Sequence, residues 1–213
     1  MSTTHAPASQ VAQQRQPGSP VPAEAPGSRI ADPAPLGLAA FALTTFVLSF
    51  VNADIIKVEP VVFGLALAYG GIAQLAAGMW EFAKGNTFGA TAFSSYGAFW
   101  ISFWYLTGHT DLSGASASDL SDSLGLFLLA WAIFTAYMTI GASRVSGAVL
   151  AVFALLTVTF ALLSWGDFAT SDTITHVGGW FGIATALAAW YASLGGITAF
   201  THGKAIVPTG PRE

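Results

Sequence analysis

The sequence predicts an all-α membrane protein: a bundle of six transmembrane helices with both termini in the cytoplasm. Three observations carry this. Of the 213 residues only 8% are charged and 54% are hydrophobic, against roughly 25% charged in an average soluble domain. Six apolar segments follow one another at 36–53, 61–82, 90–108, 124–142, 145–165 and 177–200. Each holds about 18–24 residues, enough at ~1.5 Å per residue to cross a ~30 Å hydrocarbon core. The basic residues sort to one side of these segments, and that asymmetry sets the orientation.

Only helices and closed barrels satisfy the backbone inside a bilayer, and these runs lack the alternation of barrel strands. Arg15, Arg29, Lys84, Arg144, Lys204 and Arg212 fall on the tails and on the 2–3 and 4–5 loops. Lys57 alone lies opposite, among Asp54, Glu59, Asp111, Asp119, Asp122, Asp167 and Asp172. Trp80, Trp104, Trp165 and Trp180 stand near predicted span ends, as an interfacial aromatic belt requires. A multi-pass protein of the plasma or inner membrane is expected, with the lipid bilayer as its first partner. Residues 1–31, rich in Pro, Ala, Ser and Gln, read as a disordered cytoplasmic tail without the apolar core of a secretory leader. The six-helix domain takes 32–203, and 204–213 form a cytoplasmic C-terminal tail.

Helix 1 opens on Asp32-Pro33-Ala34-Pro35-Leu36-Gly37-Leu38. Proline is tolerated in a first turn, whose N–H groups have no intrahelical partner, and Asp32 is placed to act as the N-cap. Within the helix Phe41, Thr45, Leu48 and Asn52 step by four, three and four onto one face, beside Thr44. Helix 2 repeats the device with Ala66, Gly70, Gln74, Ala77 and Glu81, small residues around one amide. Glu81 lies within a turn of the inner end and reads as an acid snorkelling to the interface. Helix 3 follows a glycine-flanked loop carrying Asn86 and Thr87, then presents Ser95 and Tyr96. Helix 4 is a plain apolar run, and helix 5 carries Thr157 and Thr159. Helix 6 begins near His176, read as a boundary residue, and holds the pairs Gly178-Gly179 and Gly195-Gly196. Such small residues let helix backbones approach where no hydrophobic effect drives association.

No charged residue sits mid-span, which counts against an ion pump with a buried carboxylate relay. The chain has no cysteine, no His-Glu-x-x-His and no Gly-x-Ser-x-Gly, so neither an enzyme nor a metal or cofactor site is expected. No basic run suggests nucleic acid. What remains is a narrow, mostly apolar path with a few hydrogen-bonding groups, or Ser and Thr bonded to their own helices in a bundle that transports nothing.

The stretch at 32–38 resembles the signature of the acetate uptake transporter family, the succinate–acetate permeases, with Asp32 in place of the usual Asn. The similarity continues through 41–53, 69–100, 155–163 and 176–191. It implies a homo-hexamer in which each subunit has its own pore, and uptake of acetate or succinate with proton coupling. It also implies a hydrophobic constriction of Phe41, Tyr96 and Leu156, with the Tyr96 hydroxyl donating to a carboxylate, and a size-determining position at Ala189. An apolar collar of this kind passes small monocarboxylates and resists hydrated ions, for which it offers no replacement hydration shell. Glu81 and His176 are the titratable candidates for proton coupling. A channel for ammonia or another short-chain acid, and a non-transporting scaffold or sensor, are the competing readings.

Overall fold

The computed structural model describes residues 30–211, and six long helices account for most of them. They are α1 (Ala34–Asn52), α2 (Glu59–Lys84), α3 (Thr87–His109), α4 (Ala117–Ala142), α5 (Gly147–Phe168) and α6 (Asp172–His202). Five are long and apolar enough to span a bilayer. The sixth, α3, has the length but is diluted by Ser, Thr and Gly. The chain is a multi-pass membrane protein. Most of the expected 1–31 tail, with Arg15 and Arg29, lies outside the described residues.

Helix ends depart from the apolar runs where caps decide them. α4 begins at Ala117 rather than 124 because Ser116 accepts the Asp119 N–H at 3.1 Å and donates its hydroxyl to the Asp119 carboxylate at 2.7 Å. A polar first turn hides such a start from a hydropathy reading. α5 is capped by Ser146, which accepts the Val149 N–H at 3.1 Å, and runs on to Phe168, drawing Asp167 into the helix. α2 is composite: a 3₁₀ turn at Glu59–Val62, α-helix at Phe63–Leu67, a π-helical stretch at Ala68–Ala73 over the Gly70-Gly71 pair, then α-helix from Gln74.

The start of α1 corrects one expectation. Pro33, not Asp32, occupies the cap position, and its carbonyl accepts the Gly37 N–H at 3.0 Å. Asp32 stands one residue outside, where its carboxylate accepts Ala34 N–H at 3.3 Å and the Lys84 ammonium at 2.8 Å. It therefore ties the start of α1 to the end of α2. Leu36 faces outward, Gly37 is buried against the Phe93 ring, and Leu38 packs on the core.

In space α1 packs on α6, α6 on α5, α5 on α4, and α2 on α3 and α1. Close approach depends on small residues: a methyl on Gly70 would meet Thr44 Oγ1 at 2.6 Å, and one on Gly97 would meet the Leu75 backbone N at 2.6 Å. The backbones of α3 and α4 stay apart by contrast, because an aromatic layer fills the gap. Tyr96 and Phe99 on α3 pack on Phe127, Trp131 and Phe134 of α4 with ring centroids 5.1–6.0 Å apart. Of the expected C-terminal tail, Thr209 and Gly210 fold back as a strap: their carbonyls accept Ala148 and Gly147 N–H at 3.0 and 2.7 Å. The Tyr191 hydroxyl donates to Pro208 O at 2.8 Å.

Candidate functional site

The far ends of the helices, opposite the described termini, enclose a cavity of ≈190 Å³. One water needs about 10–15 Å³ on that measure, so the cavity has room for a small organic molecule. From α1 it is lined by Phe41, Thr45, Leu48 and Asn52, the stripe expected to share a face, together with Ser49. α3 contributes Phe99, Trp100 and Phe103, and α5 contributes Leu156, Thr159, Phe160, Leu163 and Asp167. Glu59 from α2 and Thr175 from α6 complete the mouth.

Phe41 and Leu156 form the inner limit of this cavity, 5% and 3% exposed. Tyr96 lies directly behind, its ring centroid 5.8 Å from that of Phe41 and its side chain 3% exposed. The three expected constriction residues thus come together in one buried cluster, which Ala189, 0% exposed, also joins. The Tyr96 hydroxyl is already engaged. Thr135 Oγ1 donates to Trp131 O at 2.7 Å, so at 2.9 Å it accepts the Tyr96 proton. In this conformation Tyr96 supplies an apolar wall; greeting a carboxylate requires that bond to be exchanged.

Hydrogen bonding sorts the Thr candidates. Thr44, Thr157, Thr159 and Thr185 each donate to their own helix four residues back, at 2.8–2.9 Å. Thr44 sits beneath Gly70 between α1 and α2, and Thr157 also meets Thr139 at 3.0 Å between α4 and α5; neither lines the cavity. Thr45 is different. It is 6% exposed, lines the cavity, and its hydroxyl has no partner among the described residues. Trp100, 2% exposed, repeats the pattern with an unpartnered indole N–H. Two residues that line the cavity, one on α1 and one on α3, thus each carry a buried donor without a partner, which costs free energy while it stays unpaired.

The other candidates stand apart from the cavity. Gln74, 1% exposed with its Oε1 unpartnered, faces the interior on α2, and Ser95 is half-buried on α3. Glu81 corrects the snorkelling reading: it is 0% exposed. Its Oε2 accepts the Asn86 side-chain amide at 2.9 Å while its Oε1 has no partner. Asn86 in turn caps α3 through Gly89 N–H at 3.2 Å, and the Glu81 carboxyl packs against Gly89 within the same turn. Thr87 is exposed beside it, and His176 is half-buried in the second turn of α6, at the far end.

Several wall residues were missed by the sequence reading. Phe160, Leu163 and Asp167 continue on α5 the helical spacing of the expected Leu156 and of Thr159, and Phe99, Trp100 and Phe103 recur likewise on α3. That periodicity is legible in the sequence; Asp167 escapes it because the apolar run ends at 165 and the helix runs on to Phe168.

Comparison with known proteins agrees with this architecture. The profile of the GPR1/FUN34/yaaH family matches residues 12–211. Ammonia transport outward protein 2 of Saccharomyces cerevisiae is 45% identical over 183 residues, covering 82% of this chain and 64% of the relative. The chain therefore spans less than two thirds of that protein's length. The succinate-acetate/proton symporter SatP of Escherichia coli K12 is 37% identical over 183 residues, covering 86% of this chain and 97% of SatP. The solved structure of the bacterial acetate channel SatP superimposes with a TM-score of 0.79 at 37% identity, over 85% of this chain and all of that one.

Proposed function

The chain belongs to the GPR1/FUN34/yaaH family of membrane transporters and channels, and from that premise we propose that it passes acetate and similar small carboxylates across a membrane. One observation carries the reading: a cavity with two unpartnered buried donors, Thr45 and Trp100, ends on the apolar ring of Phe41, Leu156 and Tyr96. The donors hold a carboxyl head while the ring rejects hydrated ions. Passage requires the ring to part, and in an aromatic collar side-chain rotation suffices. Inside the ring Phe153 packs at a tilt against Tyr96 at 6.0 Å and Phe88 at 5.1 Å, so the inward path opens through aromatic rings as well.

The near end, with Lys84, Arg144 and Lys204, faces the cytoplasm by the distribution of basic residues. The subunit works as one member of a homo-hexamer, and uptake is coupled to a proton, as in the symporter that this chain resembles. Glu81 is the buried carboxyl available for that proton, with one oxygen accepting from Asn86 and the other unpartnered.

The test is flux of labelled acetate into vesicles holding the full chain, measured across a matrix of pH and voltage. Flux that is saturable and accelerated by inward proton gradients supports coupled uptake. Electrogenic flux indifferent to pH leaves a channel, and no flux removes transport. A second reading rests on the similarity to the yeast ammonia protein: the cargo is a small amine. Competition by a panel of acids and amines separates the two.

A further inference from the structure

Every ionisable side chain on the cavity wall is acidic. Glu59 enters from the first turn of α2 and Asp167 from the last turn of α5, both half-buried, and no Lys, Arg or His lines the space. Neither carboxylate has an ion-pair partner among the described residues. Lys57, the one lysine at this end, is paired with Asp54, and His176 follows Thr175 on α6 without lining the wall. The same end of the helices carries further acids, Asp54, Asp111, Asp119, Asp122 and Asp172, all exposed. An anion pathway with such an entrance is unusual, because a cleft lined by one sign of charge with low-dielectric walls focuses the field.

We propose that Glu59 and Asp167 set the charge of the cargo: the far-end cavity passes carboxylic acids bearing at most one negative charge and turns back dicarboxylate dianions. The inference rests on the reading that this cavity is the transport path. Repulsion scales with the charge of the solute, so a dianion is penalised twice as heavily as a monoanion at any point of the entrance. The deeper wall gives the same answer. Thr45 and Trp100 offer donors for one carboxyl head near the ring, and the charged groups that a second carboxylate meets toward the mouth are Glu59 and Asp167, both acids.

The experiment measures labelled acetate and succinate flux side by side in vesicles of the full chain at neutral pH, at low and high salt. In the unaltered protein the succinate-to-acetate ratio rises with ionic strength, because salt screens the solvated entrance. In Glu59→Gln/Asp167→Asn the low-salt ratio rises by roughly threefold or more and loses its salt dependence. Glu59→Asp/Asp167→Glu, which keeps both charges, retains the original ratio and salt response. Persistent acetate flux with a ratio that moves with neither salt nor neutralisation overturns this inference alone. Absence of acetate flux from the unaltered protein overturns the transport reading and this inference with it. The salt series needs no substitution, so a poorly folding variant does not protect the proposal.

Discussion

Tyr96 on α3 donates its hydroxyl proton to Thr135 on α4 at 2.9 Å, across the aromatic layer that separates the two helices. Both side chains are almost wholly buried, Tyr96 at 3% and Thr135 at 0% exposure. The bond fixes the phenol ring against Phe41 and gives the proposed constriction a defined wall. Two roles for the hydroxyl, holding the ring and meeting the cargo, make different predictions.

Tyr96→Phe removes the hydroxyl and leaves the ring. Loss of one buried hydrogen bond costs about 1 kcal/mol, so the variant folds with a modest fall in thermal stability. Acetate uptake falls several-fold if the hydroxyl exchanges Thr135 for the carboxyl during passage. Thr135→Val supplies the complement: it leaves the phenol proton uncommitted, and uptake holds or rises. Flux equal to the parent in Tyr96→Phe makes the residue a wall and nothing more.

Leu156 is the aliphatic member of the proposed ring, 3% exposed and lining the cavity. Shortening it to Val removes one methylene, at a cost of about 1 kcal/mol. The ring widens, and longer monocarboxylates such as propionate and butyrate gain uptake relative to acetate. Relative rates from mixed-substrate flux are the measurement, and an unchanged order of preference removes Leu156 from the constriction.

Much of this architecture was legible in the chain itself. Span length and the near absence of charge gave six helices, and i, i+4, i+7, i+11 spacing placed Phe41, Thr45, Leu48 and Asn52 on what proves to be one cavity wall. Polar first turns and last turns were not legible. Ser116 and Asp119 start α4 well before its apolar run, and Asp167 belongs to α5 only because the helix continues past Trp165. Hydrogen-bond fate was equally out of reach: adjacent Thr44 and Thr45 look alike in sequence, yet one bonds to its own helix and the other stands free at the cavity. Which neighbour a side chain meets depends on helix rotation, and periodicity supplies a face without saying what that face adjoins.

Gly97 tests the packing that positions α3. A methyl there would lie 2.6 Å from the Leu75 backbone N, so Gly97→Ala forces α2 and α3 apart instead of shifting a flexible side chain. Overpacking of this kind costs about 1–3 kcal/mol. The melting temperature of the purified variant falls accordingly. A melting temperature equal to the parent means that the two helices separate freely at this level.

Glu81 holds the turn between α2 and α3 through Asn86, and it does so as a wholly buried acid whose second oxygen is unpartnered. Lys84 does not neutralise it, being spent on Asp32 at 2.8 Å. Glu81→Gln keeps the volume and an amide oxygen for the Asn86 N–H, so the fold is retained at little cost. Glu81→Ala empties the site and strands the Asn86 amide, with an expected loss of about 2–4 kcal/mol. Comparison of the two variants separates architecture from proton handling. If Glu81 carries the coupled proton, Glu81→Gln folds normally, still passes acetate down its own gradient, and no longer accelerates when a proton gradient is imposed. A Glu81→Gln protein that retains the full response to the proton gradient leaves Glu81 with its structural role only, and coupling must then be sought at the far-end carboxylates.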